Sequence, residues 1–203
     1  MMLRRAATLR PLASALPRAV AAPLCTAHTP SQRLLQLARD ADLQIYGGAA
    51  ATAPAAAAFV AWHDAISAGT RGDASAIERL RPHVHERCIF RPPTYFTPWE
   101  GGDELVLLLS CVGEVFGSSF AYGRQWLSED GRQWALEFRA DVAGSGKAID
   151  GIDLVALDAD GKIVDFTVLA RPPNAVEELK RQMLRRVPVK MAALKAKQAL
   201  GFA

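Results

Sequence analysis

Apolar positions recur at helical spacing from the start of the folded region to about Ser118, and at strand spacing from there to Arg171. Leu34, Leu35 and Leu37 on one side predict a short helix over Ser31–Ile45, stopped by Gly47 and Gly48. The alanine-rich stretch Ala49–Ala58 is either a linker or, after Pro54, the first turn of the next helix, where proline is well placed. Phe59, Val60, Trp62, His63 and Ile66 carry that helix to Gly69, and Asp73 is positioned to cap another containing Ile77, Leu80 and Val84. Cys88–Phe90 reads as a brief strand ended by Pro92 and Pro93. A third helix follows, capped by Asp103, with Leu105, Leu108, Leu109, Val112, Val115 and Phe116 apolar almost all round, the mark of an element buried on most sides.

Beyond Ser118 the beat shortens. Phe120, Tyr122 and Trp126 belong to a strand that turns at Asp130-Gly131. Leu136, Phe138, Ala140 and Val142 then alternate with Glu137, Arg139 and Asp141. Gly144-Ser145-Gly146 leads into Ile149–Leu157, and Asp160-Gly161 into Ile163–Ala170. Helices followed by a four-strand meander predict an α+β fold: a cone-shaped α+β barrel with N-terminal helices packed on a curved antiparallel sheet. A last helix is expected over Asn174–Arg186, with a tail after Pro188. The expected organisation is 1–28 presequence, 29–53 short helix and alanine-rich linker, 54–186 cone domain and 187–203 basic tail.

Charge sharpens this division. Residues 1–28 hold Arg4, Arg5, Arg10 and Arg18 and no acid, the composition of a mitochondrial presequence. The expected location is the mitochondrial matrix, with a plastid as the alternative. From Lys180 onward seven cations stand without an acid. The body, 29–179, holds 13 basic and 21 acidic side chains, a net charge of −8. Cys25, Cys88 and Cys111 form no CxxC and fit free thiols in a reducing compartment. No apolar run is long enough to span a bilayer.

The order of elements, together with particular stretches, resembles the nuclear transport factor 2-like superfamily, which includes SnoaL-like proteins and ketosteroid isomerases. Those stretches are Trp62–Gly69 with Gly72-Asp73, Phe90–Pro93 with Thr97–Gly101, and Asp150–Leu154 with Asp158–Ile163. The resemblance is to SnoaL-like proteins in particular, and it implies a pocket in the cone and a homodimer joined through the outer sheet face. It places Asp153 where the isomerases keep a protonated aspartic acid that hydrogen-bonds the developing oxyanion. Trp62 falls at the partner tyrosine, and Arg91 at the general base. Arginine cannot accept a proton at working pH, so the resemblance argues against isomerase chemistry. No catalytic residue is assigned.

Strand alternation sets Asp153 among Ile149, Gly151, Val155 and Leu157, where a carboxyl must be protonated or paired. Trp62, Asp153, Tyr95, Trp99, Phe116 and Phe166 are the candidate ligand-binding residues, because apolar walls with few polar anchors hold small molecules. Glu137 falls on the opposite face, within reach of Arg124 or Arg139. His83, His85 and Cys88 offer zinc-type donors without a fourth ligand, so no metal and no cofactor is expected. No GxSxG supports a hydrolase. The tail sets Met183, Leu184, Val187, Val189, Met191, Leu194 and Leu200 among cations. That pattern suits an anionic membrane surface or a mitochondrial complex, and with few aromatics it does not suit sequence-specific nucleic acid. The expected function is binding of a small apolar or carbonyl-bearing molecule, the alternative a non-catalytic accessory or assembly subunit of a mitochondrial complex.

Overall fold

A computed structural model describes residues 29–38 and 44–201. The expected presequence, with Cys25, lies outside the described residues. Helix α1, Pro30–Leu37, opens with a capping box in which Thr29 and Gln32 each accept a hydrogen bond from the other's backbone N–H. The helix expected to run to Ile45 is shorter, and Ile45–Gly47 is instead strand β1. At Gly47, φ is +87° and an added Cβ would lie 2.1 Å from the Leu127 carbonyl oxygen, so only glycine fits there.

The alanine stretch divides at Thr52, whose hydroxyl caps helix α2, Ala53–Thr70. Pro54 sits in its first turn, and α2 buries Phe59, Trp62 and His63. The segment after Asp73 is a 3-10 helix, Ala76–His83, which keeps Ile77 and Leu80 buried, includes Pro82 and gives way to strand at Val84. Strand β2, Val84–Arg91, is longer than Cys88–Phe90, and the two-residue strand β3, Trp99–Glu100, pairs with its end. Helix α3, Gly102–Phe116, starts at Gly101, whose φ of +124° serves as the cap expected of Asp103. Asp103 and Glu104 lie in the first turn, where their charge opposes the helix dipole.

Strands β4, Ala121–Leu127, β5, Gln133–Val142, β6, Lys147–Leu157, and β7, Ile163–Arg171, form the expected meander. The sheet has seven strands in the order β1-β4-β5-β6-β7-β2-β3. It is mixed, because β1 pairs with β4 and β2 with β7 in parallel, and it remains open with β1 and β3 at its edges. The expected α+β cone is therefore present as a curved, unclosed sheet cradling helices. An entirely antiparallel sheet was expected because sequence neighbours in a meander pair that way. The two parallel pairings join strands distant in sequence, which local periodicity does not register.

The last helix, α4, Pro173–Ala199, corrects the expected stop at Arg186 by running through Pro188. Proline removes one intrahelical donor, and the carbonyl it leaves belongs to exposed Leu184, where solvent can take it. Tertiary contacts hold the far half: Met191 is buried, Lys190 and Arg186 bind Glu114 on α3, and Gln198 reaches Asp103 at 3.3 Å. Residues 187–199 are thus helix folded back on the cone.

Candidate functional site

Between the sheet, α3 and α4 lies a cavity of about 690 Å³. Phe138, Ile149 and Val168 floor it from the sheet, Phe116 closes it from α3, and Met183 and Met191 wall it from α4. Asp153 is the one acid lining it among the described residues. The register sets Asp153 on β6 between Leu136 of β5 and Val168 of β7, on the inner face of the sheet.

Asp153 is held by a relay that begins on α2. The Trp62 indole N–H donates to the Tyr122 hydroxyl at 2.8 Å, and that hydroxyl donates to Asp153 Oδ2 at 3.0 Å. Burial pushes the Asp153 carboxyl up to about 7, against a smaller downward pull from the Tyr122 hydrogen bond. Burial likewise raises the Tyr122 phenol well above its usual range. At neutral pH the site therefore holds a large fraction of neutral carboxylic acid. With Oδ2 occupied by Tyr122, Oδ1 is the atom able to offer a proton to a molecule in the cavity.

A neighbouring pair is buried without facing the cavity. His63 Nε2 lies 2.9 Å from Gln125 Oε1, and burial lowers the imidazole to about 4, so the ring is neutral and donates. Gln125 Nε2 has no hydrogen-bond partner among the described residues.

The six expected ligand-binding residues separate into two groups. Asp153, Tyr95, Trp99 and Phe116 line the cavity. Trp99 does so from β3 rather than from a loop. Trp62 and Phe166 do not: their ring centroids are 5.4 Å apart, and with Trp134 and Phe59 they fill the space between α2 and the sheet. The Tyr122 hydroxyl stands between Trp62 and Asp153. Tyr122 and Gln125 were missed because a register shift between them turns both inward and leaves Trp126 exposed. Strict alternation would have set Tyr122 and Trp126 on one face. Gly123 inside the strand was the available signal of a bulge.

Arg91, at the position the resemblance gives to a general base, is ion-paired with Asp165 at the surface. No His, Glu or second Asp lines the cavity among the described residues. Glu137 forms the expected pair with Arg124, at 2.7 and 2.8 Å, which holds its carboxyl down at about 2. Cys88 and Cys111 are free and buried; desolvation pushes the Cys88 thiol up to about 12. No group of three or more metal-ligating side chains comes together, and no helix is long and apolar enough to cross a membrane, among the described residues.

No protein-family model and no curated protein matches the chain. Solved structures do. A steroid delta-isomerase from Pseudomonas aeruginosa superposes with a TM-score of 0.61 at 37% identity, covering 70% of this chain and 97% of that one. A protein conserved in bacteria with a cystatin-like fold, from Silicibacter pomeroyi DSS-3, superposes with a TM-score of 0.56 at 34% identity, covering 68% of this chain and 93% of that one. Matched over nearly the whole of both relatives at more than 30% identity, the chain belongs to the nuclear transport factor 2-like superfamily as a SnoaL-like protein.

Proposed function

We propose that the cone binds a small apolar molecule bearing a hydrogen-bond acceptor, with neutral Asp153 donating to that acceptor. One observation carries the reading: a mostly apolar cavity holds a single acid among the described residues, oriented by Tyr122 and kept protonated in large part by burial. A buried donor aimed at a carbonyl oxygen both orients the ligand and polarises the bond. Apart from Asp153 itself, no carboxylate or imidazole among the described residues lines the cavity to share in moving a proton between carbons, so the proposal is binding, with isomerisation left to the Pseudomonas aeruginosa relative that bears the name. Thermal stabilisation by a panel of lipophilic ketones, steroid enones included, tests it. Binding should weaken as pH rises through about 7. The Asp153→Asn variant, which keeps a donor but no titration, should bind with no such loss; ketone binding that is absent, or insensitive to pH in the parent protein, overturns the reading.

Two further elements belong to the proposal. Ile152, Leu154 and Leu169 are exposed on the outer face of β6 and β7, and they supply the apolar patch for a homodimer. A Leu154→Glu variant that remains dimeric in sedimentation would refute that placement. Residues 1–28 direct the chain to the mitochondrial matrix in this reading, and fusion of those residues to a fluorescent protein tests it.

A further inference from the structure

Phe96 is fully exposed in the loop between β2 and β3, and the neighbouring Thr94, Tyr95 and Thr97 line the cavity. A phenyl ring left wholly in water beside an apolar opening buries nothing against the described residues. On the α4 side Leu184 lines the opening and is exposed, and Val189, next to lining Pro188, is exposed as well. The two flanks are joined: Lys180 Nζ lies 5.2 Å above the Tyr95 ring. Leu184, Pro188 and Lys195 line the opening from the helix.

Cations surround this apolar rim. Lys195 lines it, Lys180 lies over Tyr95 and exposed Arg185 follows Leu184 in the chain; none of the three forms an ion pair among the described residues, whereas Arg181, Arg186 and Lys190 are engaged by Glu178 or Glu114. After Glu178, α4 contains no acid. An acidic protein body therefore presents one face where aromatic and aliphatic side chains project among unneutralised cations. Apolar groups enter the acyl region of a bilayer while lysine and arginine meet its phosphates, so this combination matches the two layers of an anionic leaflet.

We propose that the mouth of the cavity docks on an anionic phospholipid bilayer, with Phe96, Leu184 and Val189 entering the interface and Lys180, Arg185 and Lys195 meeting the headgroups. The docked orientation opens the cavity toward the membrane, so its apolar ligand enters from the lipid phase without crossing water. That last step rests on the cavity being a binding site; the docking does not.

Flotation of the full chain with vesicles tests the docking, using phosphatidylcholine alone and phosphatidylcholine with one part in five of cardiolipin. Three headgroup-contacting cations favour the anionic vesicles by roughly 100-fold, an advantage that high salt removes. A Phe96→Ser/Arg185→Glu double variant should lose at least tenfold of that binding. Neither residue lines the cavity, so ketone binding by the soluble variant should be unchanged. Equal affinity for neutral and anionic vesicles overturns the proposal, as does no flotation or an unaffected double variant. Preference for a single-stranded RNA over vesicles reassigns the cations to nucleic acid, and conversion of a dimer to a monomer by Phe96→Ser alone reassigns the loop to a second copy of the chain. Vesicle binding without ketone binding would instead refute the cavity reading and leave the docking intact.

Discussion

Asp153 and His63 are buried in the same fold, and their titrations push its stability in opposite directions. The Asp153 carboxyl, raised from 3.8 to about 7, keeps in the folded chain a proton that the unfolded chain releases, so its contribution is complete below pH 3.8 and is lost as pH rises toward 7. The His63 imidazole, lowered from 6.5 to about 4, is the reverse: its contribution is complete above 6.5 and is lost as pH falls toward 4. Between pH 4.5 and 6.5 each contribution changes by roughly 2–3 kcal/mol, and the two oppose one another in the parent protein. Removing one partner exposes the other. Urea unfolding of the parent, Asp153→Asn and His63→Gln at pH 4.5, 5.5, 6.5 and 8 measures this, read as the difference between parent and variant so that every other titrating group drops out. The parent's advantage over Asp153→Asn should shrink by roughly 2–3 kcal/mol from pH 4.5 to 6.5, and its advantage over His63→Gln should grow by a similar amount. Differences that stay constant with pH would refute the claim that these two groups are buried as described.

Three other perturbations probe the same architecture. Tyr122→Phe leaves the buried Trp62 indole N–H without its acceptor and should cost about 1–3 kcal/mol in urea unfolding. It also removes the hydrogen bond that restrains Asp153, so the carboxyl midpoint, followed by carbon-detected NMR, should move further up. Gly151→Ala would place a Cβ 2.3 Å from Phe138 Cζ and 2.6 Å from the Leu169 carbonyl oxygen; the displaced ring lines the cavity, so stability should fall by about 1–3 kcal/mol and ketone binding with it. Met191→Ala removes a buried side chain from the far half of α4 and should lower stability by about 2 kcal/mol or more in the same unfolding assay, whereas a free tail after Pro188 would show no change.

Where a regular element meets the core along one face without a break in register, its spacing is visible in the chain. The alternation in β5 and β6 located the inner face and put Asp153 on it, and the apolar girth of α3 announced its burial. Of the six candidate site residues, Asp153, Tyr95, Trp99 and Phe116 reach the cavity. Phe166 enters the candidate set by residue type and Trp62 also by its place at the partner tyrosine of the resemblance, and an aromatic side chain suits a pocket wall and a packed core equally well.

Periodicity and composition by themselves determined the order of the elements, the meander and the acid on its concave side, because these depend on which residues lie two or four positions apart. Tertiary structure alone decided three things. The register shift in β4 brought Tyr122 and Gln125 inward; the parallel pairing of β2 with β7 joined segments far apart in the chain; and contacts from Glu114 and Asp103 carried α4 past Pro188 to wall the cavity. Each of these depends on the free energy of a partner distant in sequence, which outweighs the local preference written at the residue itself.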